Sequence, residues 1–92
     1  MRNIELKACL RDRVNAIAAC TRLHARAMGD IHQVDTYFHV PSGRLKLREA
    51  TPGRTELVHY HRADVEGPKG CNYTLETVTP TIKPLLSDAL GV

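Results

Sequence analysis

Three cations stand at alternate positions in GRLKLRE: Arg44, Lys46 and Arg48, with Leu45 and Leu47 between them. Side chains of a strand point to opposite faces with period two. This segment therefore predicts a strand with one cationic and one apolar face. Arginine grips phosphate oxygens with a planar fork, and lysine acts on them as a point charge. Lys7 on a first predicted strand and Arg62 on a later one add to the same set. A sheet face built from several spaced cations can hold a polyphosphate. The plainer reading is a solvent-facing strand, where lysine on an edge also blocks aggregation. Against that reading, like charges on one face repel, and no acidic strand residue offers an obvious local partner.

Glu5 lies two residues before Lys7 and shares its predicted face. A carboxylate beside a phosphate-binding lysine makes chemical sense if a divalent cation bridges it to phosphate, as Mg²⁺ does with one or two carboxylates plus substrate oxygens. On composition alone, a surface Glu–Lys strand face is the simpler account. His59 and His61 form an HxH on one strand face, but no further Cys or His follows at ligand spacing, which disfavours zinc. Tyr60 and Arg62 take the other face and join the cationic set. Cys20 and Cys71 are read as small apolar fillers. No Walker loop, GxSxG or GxGxxG occurs, so binding of a nucleotide by a glycine-rich loop is unsupported.

The elements that must position these residues follow from periodicity. Residues 3–10 alternate polar and apolar and predict a half-buried strand carrying Asn3, Glu5 and Lys7 on one face. Asp12 is the expected N-cap of a helix over 13–28, closed by Gly29. Strands are expected over 31–40 and 44–50, with a turn at Pro41-Ser42-Gly43 between them. Another follows over 56–62 and a last one over 71–78, after turn signals at 51–53 and a loop over 63–70. Thr79 and Pro80 open a second helix whose stripe is Ile82, Leu85, Leu86 and Ala89, ending at Gly91. The order β-α-β-β-β-β-α with hairpin-type turns predicts an α+β fold: an antiparallel sheet of about five strands covered on one face by two helices.

Composition bounds the rest. The chain has 92 residues, 42% of them hydrophobic, and a formal net charge of +3. That suits one small globular domain with an aliphatic core and modest stability. The basic excess is too mild to be a strong nucleic-acid signal. Cys9, Cys20 and Cys71 are widely spaced, with no CxxC and no secretory leader, so a reduced, cytoplasmic protein is expected. No apolar run approaches the roughly 20 residues of a membrane span.

The segments NIELKA, HQVDTYFHVPSGRLKLRE and ELVHYHRADVEGPK, in this order and at these distances, resemble the CYTH superfamily of triphosphate tunnel enzymes, nearest to class IV adenylyl cyclase-like proteins. The resemblance implies a closed antiparallel barrel whose tunnel holds a triphosphate on basic residues and Mg²⁺ or Mn²⁺ on carboxylates. Its members include adenylyl cyclases, thiamine triphosphatases, inorganic tripolyphosphatases and RNA triphosphatases. It implies that Glu5 and Lys7 match the end of an N-terminal ExExK signature, that Lys46 and Arg48 match a second basic strand, and that Arg62 matches the basic position on the next. Asn3 replaces the first Glu of the signature, which weakens metal binding because an amide oxygen brings no charge. The family's second half has no counterpart, so residues 1–92 are expected to form the N-terminal half of a tunnel. Three functions follow as expectations: metal-dependent triphosphate binding and turnover, a non-catalytic phosphate- or nucleotide-binding module, and an inactive product of a split gene. The open sheet edge left by half a barrel predicts a homodimer.

Overall fold

The computed structural model describes residues 1–63 and 67–92. Its elements are β1 (Arg2–Glu5), α1 (Arg13–Arg22), β2 (His32–Phe38), β3 (Arg44–Thr51), β4 (Thr55–Arg62), β5 (Lys69–Thr77) and α2 (Ile82–Leu90). The strands form one open antiparallel sheet in the order β1-β5-β4-β3-β2. The predicted α+β class and element order are therefore present. The expected loop over 63–70 is shorter, because β5 already includes Lys69 and Gly70; residues 64–66 lie outside the described residues.

Register fixes which residues share a face. Asp35 stands opposite Arg48, Tyr37 opposite Lys46, Lys46 opposite Val58, and Arg44 opposite Tyr60. Further across, Tyr60 meets Tyr73, Arg62 meets Cys71, and Cys71 meets Asn3. One face thus carries the cations of β3 and β4 together with Asp35, Glu5 and Asn3. The other carries Leu47, which is fully buried, and Phe38, which is 5% exposed. On that second face α2 is tied down by an ion pair from Lys83 Nζ to Glu49 Oε1 at 2.9 Å and by His39 N–H donating to the Gly91 carbonyl at 3.0 Å.

The turn before β3 depends on Gly43. It holds φ at +67°, and a Cβ there would meet the Tyr60 carbonyl oxygen at 2.7 Å and the ring nitrogens of His61 and His59 at 2.8 and 3.0 Å. Only glycine fits both the backbone sign and the close approach. Ser42 completes the clasp: its hydroxyl lies 3.0 Å from His61 Nε2, and its carbonyl lies 2.9 Å from His59 Nε2. The HxH of β4 therefore anchors a hairpin.

Several expectations need correction. The first strand ends at Glu5, not Leu10, and is not half-buried: Ile4 is 74% exposed. β1 pairs only with β5, and the register runs out where Glu5 meets Lys69 at the start of that strand. Leu6 onward has no ladder to join. The first helix has its expected cap, with Asp12 Oδ1 accepting from Asn15 N–H at 3.1 Å, but it closes at Arg22 rather than Met28. No side chain of α1 is buried, so further turns would rest on propensity alone, which sustains helices poorly in water. The sheet is accordingly not covered by two helices. α2 begins two residues later than expected, after a turn in which Ile82 and Lys83 N–H bond to the Thr79 and Pro80 carbonyls. Its predicted stripe is only half covered: Ile82 and Leu86 are half-buried, while Leu85 is 66% exposed. Cys71 is buried as a filler should be, whereas Cys20 on α1 is exposed.

Candidate functional site

The strands place Lys46, Arg48 and Arg62 around one concavity. A cavity of about 510 Å³ is bordered by Glu5 and Lys7 from the β1 side, Asp35 and Tyr37 on β2, Lys46 and Arg48 on β3, and Tyr60 and Arg62 on β4. Residues from both edge strands line it, so the sheet curls until its two edges face one space. An adjoining cavity of about 210 Å³ shares Glu5, Lys46, Arg48 and Arg62 and runs down to Asn3, Glu56 and Cys71.

The floor of this concavity is apolar, which period-two reasoning on β3 alone does not reveal. Val58, Tyr60 and Cys71 are the buried cluster, with Tyr73 and Leu75 packed against it. All lie on the cationic side of the sheet. The Lys46 ammonium rides 5.2 Å above the Tyr60 ring and the Arg62 guanidinium 5.6 Å from it. An aromatic face holds cations in this way without neutralising them.

Three carboxylates line the two cavities: Glu56, opposite Arg48, lies 3.8 Å from Arg54, while Asp35 and Glu5 each take an arginine of the cationic set. Arg48 donates to Asp35 through Nε and Nη2, both at 2.9 Å. Arg62 Nη1 donates to Glu5 Oε2 at 2.9 Å. The hydrogen bonds from Arg48, then its charge, hold the Asp35 carboxyl below its ordinary range against the opposing effect of burial. Glu5 is lowered likewise by the Arg62 hydrogen bond, with Asn3 and Lys46 adding to it. Lys46 has no ion-pair partner among the described residues. It is the central uncommitted cation of the concavity.

Asp35 was missed in the sequence, where no acidic strand partner for the cationic row was apparent. The signal was available in the hairpin: pairing the strands about Pro41-Ser42-Gly43 puts Phe38 beside Leu45, and three steps back on β2 then lands Asp35 on Arg48. Lys7 is not on a strand, since β1 ends at Glu5, yet it still borders the larger cavity. Arg44 is exposed and lies apart from Lys46 and Arg48, lining a third depression of about 440 Å³ with Gly43, His61 and Arg62. Lys46, Arg48, Arg62 and Glu5 come together; Arg44 stands at their margin.

Fold and site define a class: an open, curled antiparallel sheet that presents clustered cations over an apolar floor, suited to a multiply charged anion. The chain belongs to the CYTH family, whose domain model matches residues 1–90. No match was found among curated proteins or solved structures. CYTH domains form triphosphate-binding tunnels and generally use divalent metals. Tested against that chemistry, the described residues hold no group of three or more His, Cys, Asp or Glu side chains able to bind a metal ion. Glu5 is already engaged by Arg62. Such a donor set does not make a resident metal site, but it fits an ion that arrives on phosphate oxygens and takes one carboxylate from the protein. No described helix is long and apolar enough to cross a membrane.

Proposed function

We propose that the concave face binds a linear triphosphate, inorganic or nucleotide-borne, through Lys46, Arg48 and Arg62, with Lys7 and Arg44 at the rim. The observation that carries this reading is the convergence of Lys7, Lys46, Arg48 and Arg62 on one cavity of about 510 Å³ in a CYTH chain. Mg²⁺ or Mn²⁺ entering with the ligand would be held by Glu5, with the Asn3 amide beside it, and would neutralise charge on the phosphates. The arginines and Lys46 would orient and polarise the phosphoryl groups. Attack by water makes such a site a triphosphatase; attack by a ribose 3′-hydroxyl makes it an adenylyl cyclase. In this reading the open sheet corresponds to the N-terminal half of the family's closed barrel, and its free edges pair with a second copy. A cytoplasmic location accords with the three free cysteines.

A second reading is a non-catalytic binding module. It is favoured by Asn3 at the first signature position and by the Glu5–Arg62 pair, which together leave little negative charge for a metal. Calorimetry with tripolyphosphate and monophosphate tests binding: the linked phosphates should bind more tightly, and less so as salt rises. Equal, negligible heats would sink both readings. Turnover of ATP, tripolyphosphate or thiamine triphosphate with Mg²⁺ or Mn²⁺ then separates enzyme from module.

A further inference from the structure

We infer that Asp35 is a positioning residue for phosphate recognition, acting by clamping Arg48; the inference rests on the triphosphate-binding reading above. Asp35 and Arg48 are direct cross-strand partners, and both border the larger cavity. Their two hydrogen bonds, Nε to Oδ1 and Nη2 to Oδ2, are both 2.9 Å long. Two parallel bonds fix the plane of the guanidinium as well as its position. Of its five N–H donors, those on Nη1 and one on Nη2 remain free. These keep a fixed direction before any ligand arrives, so the rotamer freedom of Arg48 is surrendered on folding rather than on binding. The Glu5–Arg62 pair differs: it is a single bond through Nη1, which does not fix the guanidinium plane in the same way.

Asp35 also places a negative charge in an anion site, and the two effects have opposite signs. If charge alone mattered, its removal would tighten anion binding. If the clamp matters more, removal loosens it. Calorimetric titration of tripolyphosphate, without divalent metal, distinguishes them across wild type, Asp35→Asn, Glu5→Gln and Arg48→Lys. Without metal, Glu5→Gln removes the same charge from the same cavity and frees Arg62 while leaving the clamp intact, so it should tighten binding. Asp35→Asn should weaken it by about tenfold or more, the scale of losing one charge-assisted contact. Arg48→Lys keeps the charge but has no fork to clamp, and should weaken binding similarly; adding Asp35→Asn to it should cost nothing further. Asp35→Asn binding as tightly as wild type overturns the inference. So does an Arg48→Lys protein of wild-type affinity, which serves should Asp35→Asn fail to fold. Silence from wild type itself overturns the binding reading and this inference with it.

Discussion

The same period-two alternation yields two different faces of one sheet. On the face under α2, β3 contributes Leu45 and Leu47, and burial is complete at Leu47. On the concave face β3 contributes Arg44, Lys46 and Arg48, but β4 and β5 contribute Val58, Tyr60, Cys71, Tyr73 and Leu75 beside them. One face is packed for stability. The other mixes an apolar floor with cations and so holds charge where water is partly excluded. Charges near low-dielectric walls act more strongly on a ligand than charges on an open surface. The comparison teaches that a functional face need not be the polar face: here it contains part of the core.

That contrast can be broken by substitution. The largest effect should come from Leu47→Ala, which should cost roughly 2–5 kcal/mol of stability by opening a cavity at a fully buried site. Urea denaturation measures it, and tripolyphosphate affinity of the folded fraction should stay unchanged. Lys46→Ala should do the converse. Binding should fall by roughly 1.5–3 kcal/mol, with stability within about 0.5 kcal/mol of wild type. If Lys46→Ala unfolds the protein and Leu47→Ala is silent, the roles assigned to the two faces are wrong.

Gly43→Ala tests the clasp that sets the hairpin's register. With φ positive and the Tyr60 carbonyl 2.7 Å from the added carbon, it should destabilise by at least about 1 kcal/mol. Because the clasp positions β3, phosphate affinity should fall as well. A stable, tightly binding Gly43→Ala protein would show that the turn adapts without disturbing the cationic row.

The smallest effect should be that of pH on the concave ion pairs. Asp35 and Glu5 have folded-state pKa values below their ordinary 3.8 and 4.5. Their stabilising contribution is therefore fully present above those ordinary values and is lost as pH falls through the lower folded values. Both pairs are partly exposed, so each should be worth under about 1 kcal/mol. Denaturation midpoints between pH 6 and pH 2.5 should fall less steeply in an Asp35→Asn, Glu5→Gln double variant. An identical fall in both proteins would mean that the acid sensitivity originates elsewhere.

Much of this was legible in the chain. Alternation in RLKLRE gave the cationic face of β3, and turn chemistry at Pro41-Ser42-Gly43 gave the hairpin, because both signals are local. The Asp12 cap and the Gly91 stop were local too, and both are present. Element ends were less legible. The extent of β1 depends on where β5 begins, and the length of α1 depends on packing it does not receive.

Pairing across distant strands was decided only by the tertiary structure. Arg62 meets Glu5 because β5 lies between their strands and the sheet curls; 57 residues separate them in the chain. The apolar floor arises likewise: Cys71, Tyr73 and Leu75 alternate with polar residues as any half-buried strand does, and the pattern gives a face without saying which one. Sequence alternation fixes relative sides within a strand, since that follows from backbone geometry. Which side joins the cations, and that Glu5 restrains Arg62, follows from register and curvature, which arise only when distant strands meet.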